Sequence, residues 1–114
     1  MTPEQKVQND IEDHLKTYQK MGFPIFYQKR QSGGYNYKKG IPDIYIVIAG
    51  THLEVEVKKP GGEPSTMQLM WYRRFREEYG IRTYIVDSWD SLYEEIKMDI
   101  INSELSPQYK KEDS

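Results

Sequence analysis

The sequence predicts an α/β domain: a small mixed β-sheet flanked by helices, in the order α-β-β-β-α-β-α. Three observations carry this. Apolar residues recur at helical spacing near the N-terminus and again after residue 88. Two dense β-forming runs stand back to back around Gly50-Thr51. Between residues 65 and 80 a helix-capping signal opens, and a glycine closes, a further helical stretch.

Taken in order, Val7, Ile11, Leu15 and Tyr18 give residues 4–20 one apolar face, with Gly22 just beyond the end. Residues 23–28 read as a short strand. Residues 29–40 form a polar connection with Gly33-Gly34 at its centre, a loop or hairpin tip. The run from Asp43 to Ala49 is rich in Ile, Val and Tyr and predicts a strand. Residues 52–58 predict its hairpin partner. Pro60-Gly61-Gly62-Glu63-Pro64 ends that strand, and Ser65 with Gln68 three positions on is a capping box for a helix over about 66–79. Gly80 closes it, 81–86 is a last strand, and Ser88 or Asp90 caps a final helix carrying Leu92, Ile96 and Ile100. One domain over 1–102 and a polar tail over 103–114 are expected.

The 114 residues include no cysteine, which excludes disulfides and thiolate metal sites and fits a reducing interior. The longest apolar run, residues 44–49, is too short to span a bilayer, so an intracellular, cytoplasmic protein is expected. The net charge of −2 hides a segregation. Residues 28–82 carry ten basic and six acidic side chains, whereas residues 83–114 carry three basic and eight acidic. A basic middle segment suits a phosphate-rich partner.

Within that segment stand Gly40-Ile41-Pro42-Asp43 and, on the next strand, Glu56-Val57-Lys58. Residues two apart on a strand point to one face, roughly 6.5–7 Å apart, so Glu54, Glu56 and Lys58 share a face. Asp43, opening the neighbouring strand, can approach Glu56 across the ladder. Two carboxylates and a nearby backbone carbonyl, that of Val57, make the oxygen-rich half-cage that Mg²⁺ or Mn²⁺ prefers. Such a cation polarises a phosphodiester and lowers the pKa of a bound water. Lys58 either orients or deprotonates that water or stays charged on a phosphate oxygen. The bland alternative is a solvated Glu-x-Glu-x-Lys strand face, which is common on antiparallel sheets.

Gln68 caps its helix, and its amide can also face the site. Lys38, Lys39, Lys59, Arg73, Arg74 and Arg76 are the candidates for contacts with the DNA backbone. His14 has no partner histidine at ligand spacing and reads as a packing residue, and Trp71 and Trp89 read as core.

At these residues the sequence resembles the restriction-endonuclease-like, or PD-(D/E)xK, nucleases, and within them the virus-type replication-repair nuclease family, VRR-NUC. The resemblance covers roughly residues 5–88 and rests on Gly40 to Asp43, Glu56 to Lys58, Pro60-Gly61-Gly62 and Ser65 through Gln68. It implies a restriction-endonuclease-like core and a divalent-metal nuclease in which Asp43 and Glu56 bind metal, Lys58 is catalytic and Gln68 supports the site. It also implies a first-helix acid, which register places at Gln8, with Glu12 one turn later able to substitute. The stand-alone short members it resembles are phage and bacterial junction-resolving enzymes that act as homodimers on branched DNA. A bacterial or phage-infected host cytoplasm would then be the compartment. Flap or non-specific duplex cleavage, a non-catalytic nucleic-acid-binding module and a self-associating structural protein are the rival expectations.

Overall fold

The structure, a computed structural model, describes residues 1–30 and 39–104. Helix α1 spans Pro3–Lys20 and begins earlier than the apolar pattern alone predicts. Thr2 caps it, accepting from the Gln5 amide while the Gln5 side chain accepts from the Thr2 amide, and Pro3 fits the first turn, where no intrahelical N–H partner is needed. Strand β1 is Ile25–Lys29, β2 is Ile44–Ile48 and β3 is Thr51–Val57. Ala49 and Gly50 join β2 to β3 with φ values of 49° and 84°, the two-residue turn whose twist matches a hairpin.

Helix α2, Thr66–Arg73, opens on the Ser65–Gln68 capping box. The sequence pattern predicts that this helix continues to residue 79. Instead Arg74–Glu78 form a π-helical turn, in which the Tyr79 amide reaches back to the Arg74 carbonyl at 3.1 Å. The wider turn buries Phe75, and a single widened turn leaves no trace in apolar spacing. Strand β4 is Arg82–Val86, and α3, Trp89–Ser103, is capped by the Ser88 hydroxyl.

The sheet order is β1-β2-β3-β4. The pairs β1–β2 and β2–β3 are antiparallel, and β3–β4 is parallel, with α2 in the crossover. The sheet is therefore mixed. Alternation sends Ile44, Ile46 and Ile48 of β2 and Leu53, Val55 and Val57 of β3 to one face. There they join Val7, Ile11 and Leu15 of α1 and Leu92, Ile96 and Ile100 of α3 in one core. Each such side chain contributes roughly 1.5–3 kcal/mol on burial. Trp89 belongs to this core, with His14 stacked on it at 4.5 Å between ring centroids and 9° between planes. Trp71 is only half-buried, and its indole N–H bonds the Lys39 carbonyl at 3.1 Å.

The opposite face of β3 presents Glu54 and Glu56. Both are almost fully buried, at 1% and 3% exposure, so the solvated-face reading of this strand does not hold. Buried carboxylates need partners, and the partners define the site. Among the described residues no helix is long and apolar enough to cross a membrane. Residues 105–114, most of the expected tail, and the Gly33-Gly34 loop centre lie outside the described residues, as does Lys38.

Candidate metal centre

The segment leading into β2 is built against α2. Gly40 has φ +84°, and a Cβ placed there would lie 2.8 Å from the Met67 Cβ and 2.9 Å from its carbonyl carbon. Glycine thus serves both the left-handed turn and the close approach. Past Gly40, buried Pro42 leads to Asp43. The β2–β3 register pairs Ile44 with Val55, so one step further Asp43 and Glu56 stand opposite one another. Asp43 Oδ2 also accepts from the Val57 amide at 2.9 Å. Neighbouring N–H and C=O groups of one strand residue leave on the same side, so the Val57 carbonyl opens toward the Asp43 edge.

A third acid joins them from α1. Carboxylate oxygens of Glu4, Asp43 and Glu56 all lie within 4.8 Å of one another. Burial, then the neighbouring Asp43 and, less, Glu4, pushes the Glu56 carboxyl up to about 10, against the opposing pull of Lys58. Three carboxyls gathered around a buried member are all-oxygen donors for a hard divalent cation. The donor set fits Mg²⁺ or Mn²⁺.

Gln68 reconciles its two sequence readings. Its Oε1 accepts from the Ser65 amide at 2.8 Å, closing the helix cap, and from Lys58 Nζ at 3.2 Å. Its Nε2 donates to Glu56 Oε2 at 3.1 Å. One amide therefore caps α2 and ties Lys58 to Glu56, placing α2 over the carboxylate face of β3. Asp43, Glu56, Lys58 and Gln68 are brought together by this geometry.

On the first helix the acid that approaches Asp43 and Glu56 is Glu4, and neither Gln8 nor Glu12 belongs to that cluster. A helix advances about 1.5 Å per residue, and α1 meets the sheet end with its first turn, so Glu4 reaches the other acids. Gln8, one turn on, is buried and lines the adjoining cavity of about 320 Å³ beside Glu4, Asp43 and Gln68. Glu12 lies a further turn away, outside that cluster and that lining, where its charge acts on Tyr27. The signal for Glu4 was an acid four residues before Gln8, in the first turn of a capped helix.

The proposed DNA-contact residues divide. Lys39, Lys59 and Arg73 are exposed. Arg74 is committed within the chain, stacked over Trp71 at 5.1 Å and bonded to Glu78 and the Tyr79 hydroxyl. Arg76 is held by the Tyr72 hydroxyl at 2.8 Å and the Thr83 carbonyl at 3.1 Å, beside β4 and not in the acidic cavity. Lys29 and Arg30, which no sequence motif marks, line that cavity. Their approach depends on β1 ending beside Asp43, a tertiary relationship.

The site therefore lies in a small α/β domain with a mixed sheet, in which acids from α1, the entry to β2 and β3 meet. Among solved structures, a VRR_NUC domain matches with a TM-score of 0.67 and 25% sequence identity, over 85% of this chain and 97% of that chain. The chain resembles the VRR-NUC family in fold as well as in motif. No protein-family model matches the sequence, and no curated protein does.

Proposed function

We propose that this protein is a divalent-metal-dependent DNA endonuclease that hydrolyses phosphodiester bonds, selective for branched structure over sequence. The observation that carries the reading is the convergence of Glu4, Asp43 and Glu56 within 4.8 Å, beside the Lys58–Gln68 pair. A non-catalytic DNA binder gains nothing from three carboxylates turned toward phosphates.

Glu4, Asp43 and Glu56 would hold Mg²⁺ or Mn²⁺, with the Val57 carbonyl as a further oxygen. The cation supplies Lewis-acid polarisation of the phosphodiester and a more acidic water. Gln68 holds Glu56 in place and keeps the Lys58 ammonium beside it. Lys58 faces the phosphate as a cation, holding an oxygen on which charge develops. Lys29 on the cavity wall attracts the DNA backbone. Water would attack phosphorus in line, forming one P–O bond as the opposite P–O bond to the leaving sugar oxygen breaks. The attacking water gives its proton to solvent, the leaving oxygen takes one up from solvent, and no covalent enzyme intermediate forms.

Selectivity for branched DNA rests on the lack of a base-reading element in the sequence and on the resemblance to junction-resolving enzymes. Resolving a junction takes two coordinated cuts, which a two-fold homodimer supplies. The test is a panel of labelled four-way junctions, flaps and duplexes with Mg²⁺ or Mn²⁺, run beside sizing of the protein in solution. Metal-dependent cutting, strongest on junctions, is expected, and Asp43→Ala or Lys58→Ala should abolish it. Equal cutting of flaps or plain duplex would replace the branched specificity, and a monomer would remove the two-site scheme. No metal-dependent cutting on any substrate would end the enzyme reading.

A further inference from the structure

Arg30 grips the peptide segment that delivers Asp43 in two ways. Its backbone amide donates to the Asp43 carbonyl at 2.7 Å, extending the β1–β2 ladder one step. Its Nη1 donates to the Pro42 carbonyl at 2.8 Å. The guanidinium is itself fixed, because Nη1 and Nη2 fork onto both oxygens of Glu54. Glu54 is 1% exposed, and its Oε2 also meets His52 Nε2. Behind them Tyr45 lies under the Arg30 guanidinium at 5.2 Å and parallel to His52, with 5.5 Å between ring centroids. Burying the Glu54 carboxylate with an ion-pair partner is a poor way to gain stability, since apolar residues of similar size often serve as well. What apolar residues could not supply is the donor on the Pro42 carbonyl.

We propose that Arg30 is a positioning residue for Asp43, oriented by the buried carboxylate of Glu54, and that the affinity of the acidic trio for a divalent cation depends on it. The metal half of this proposal rests on the reading of the trio given above. The positional half does not. Asp43 Oδ2 accepts from the Val57 amide, so that amide reports where the carboxylate stands without any metal.

The experiment compares wild type with Arg30→Lys, which keeps the charge against Glu54 but loses the fork, and with Glu54→Gln. The double variant Arg30→Gln/Glu54→Gln removes both charges of the pair together and guards against a single variant that fails to fold. Leu92→Ala, in the core away from the site, is the control for general loosening. In the metal-free protein the Val57 amide proton should move upfield and exchange faster in the Arg30 and Glu54 variants, and not in Leu92→Ala. Calorimetric Mn²⁺ affinity should fall about 10- to 100-fold in the same variants, as for residues that orient metal ligands. An unchanged Val57 amide together with unchanged Mn²⁺ affinity overturns the proposal. If wild type takes up no Mn²⁺, the reading of the trio falls and the metal half with it, and the Val57 amide alone decides whether Arg30 holds Asp43.

Discussion

Gln68 donates through Nε2 to Glu56 at 3.1 Å while its Oε1 closes the α2 cap on the Ser65 amide at 2.8 Å. Helix termination and site geometry thus share one side chain. Ser65 takes part in the cap alone, accepting from the Gln68 amide at 3.1 Å. This separates the two roles. Ser65→Ala and Gln68→Ala should each destabilise the fold by about 1 kcal/mol. Only Gln68→Ala also frees Glu56 and Lys58, so it should lose much more cleavage than Ser65→Ala at matched loss of melting temperature. Equal activity in the two variants would show that the amide acts only as a cap.

Glu4 is the member of the trio that helical spacing alone does not reveal. Glu4→Gln removes a charge and leaves the Thr2–Gln5 capping box intact. Mn²⁺ affinity should drop by about tenfold or more, equivalent to about 1.4 kcal/mol, with little change in melting temperature. Glu12→Gln should leave affinity at the wild-type value. Calorimetric titration of both variants checks the assignment, and the reverse ranking would restore Glu12.

The raised Glu56 carboxyl makes two pH-dependent outcomes. Its value in the fold, about 10, lies above the ordinary 4.5. The folded metal-free protein therefore holds a proton that the unfolded chain releases at lower pH. That contribution to stability is complete below about pH 4.5 and is lost as pH climbs toward 10. Thermal melts without metal should show this decline, and Glu56→Gln should flatten it. A cation binds the deprotonated carboxylate, so Mn²⁺ affinity should rise across the same window with proton release at neutral pH. Titration heats that do not vary with buffer ionisation enthalpy would contradict the assignment.

Gly40→Ala tests the docking of the Gly40–Asp43 segment on α2. The new methyl would meet the Met67 Cβ at 2.8 Å and its carbonyl carbon at 2.9 Å, on a backbone with φ +84°. Strain of this kind is on the order of 1–3 kcal/mol, before any shift of α2. Loss of melting temperature together with weakened Mn²⁺ uptake is expected. Gly22→Ala makes the comparison, because its φ is also positive, +98°, but its Cβ would meet nothing within 4 Å. It should lower stability alone.

The order of elements, the hairpin and the pairing of position 43 with 56 were legible because each rests on local signals. These were strand alternation, the Gly50 turn and the Ser65–Gln68 box. Three features were not. Glu4 depends on which end of α1 meets the sheet, and amphipathic spacing gives a face and no axial position. The π-helical turn at Arg74–Glu78 changes backbone pairing without changing residue type. The partners that Arg74 and Arg76 find at residues 71, 72, 79 and 83 follow from packing, which residue type alone does not show.

Two of the three acids sit at one end of a single hairpin, while the third arrives from a helix 39 positions upstream. Occupancy would accordingly staple α1 to the sheet, a crosslink made of ionic bonds and removable by chelation. Backbone amides in the second turn of α1 should then exchange with deuterium more slowly when Mn²⁺ is added, whereas those of the β2–β3 hairpin, already locked by their own ladder, should change less.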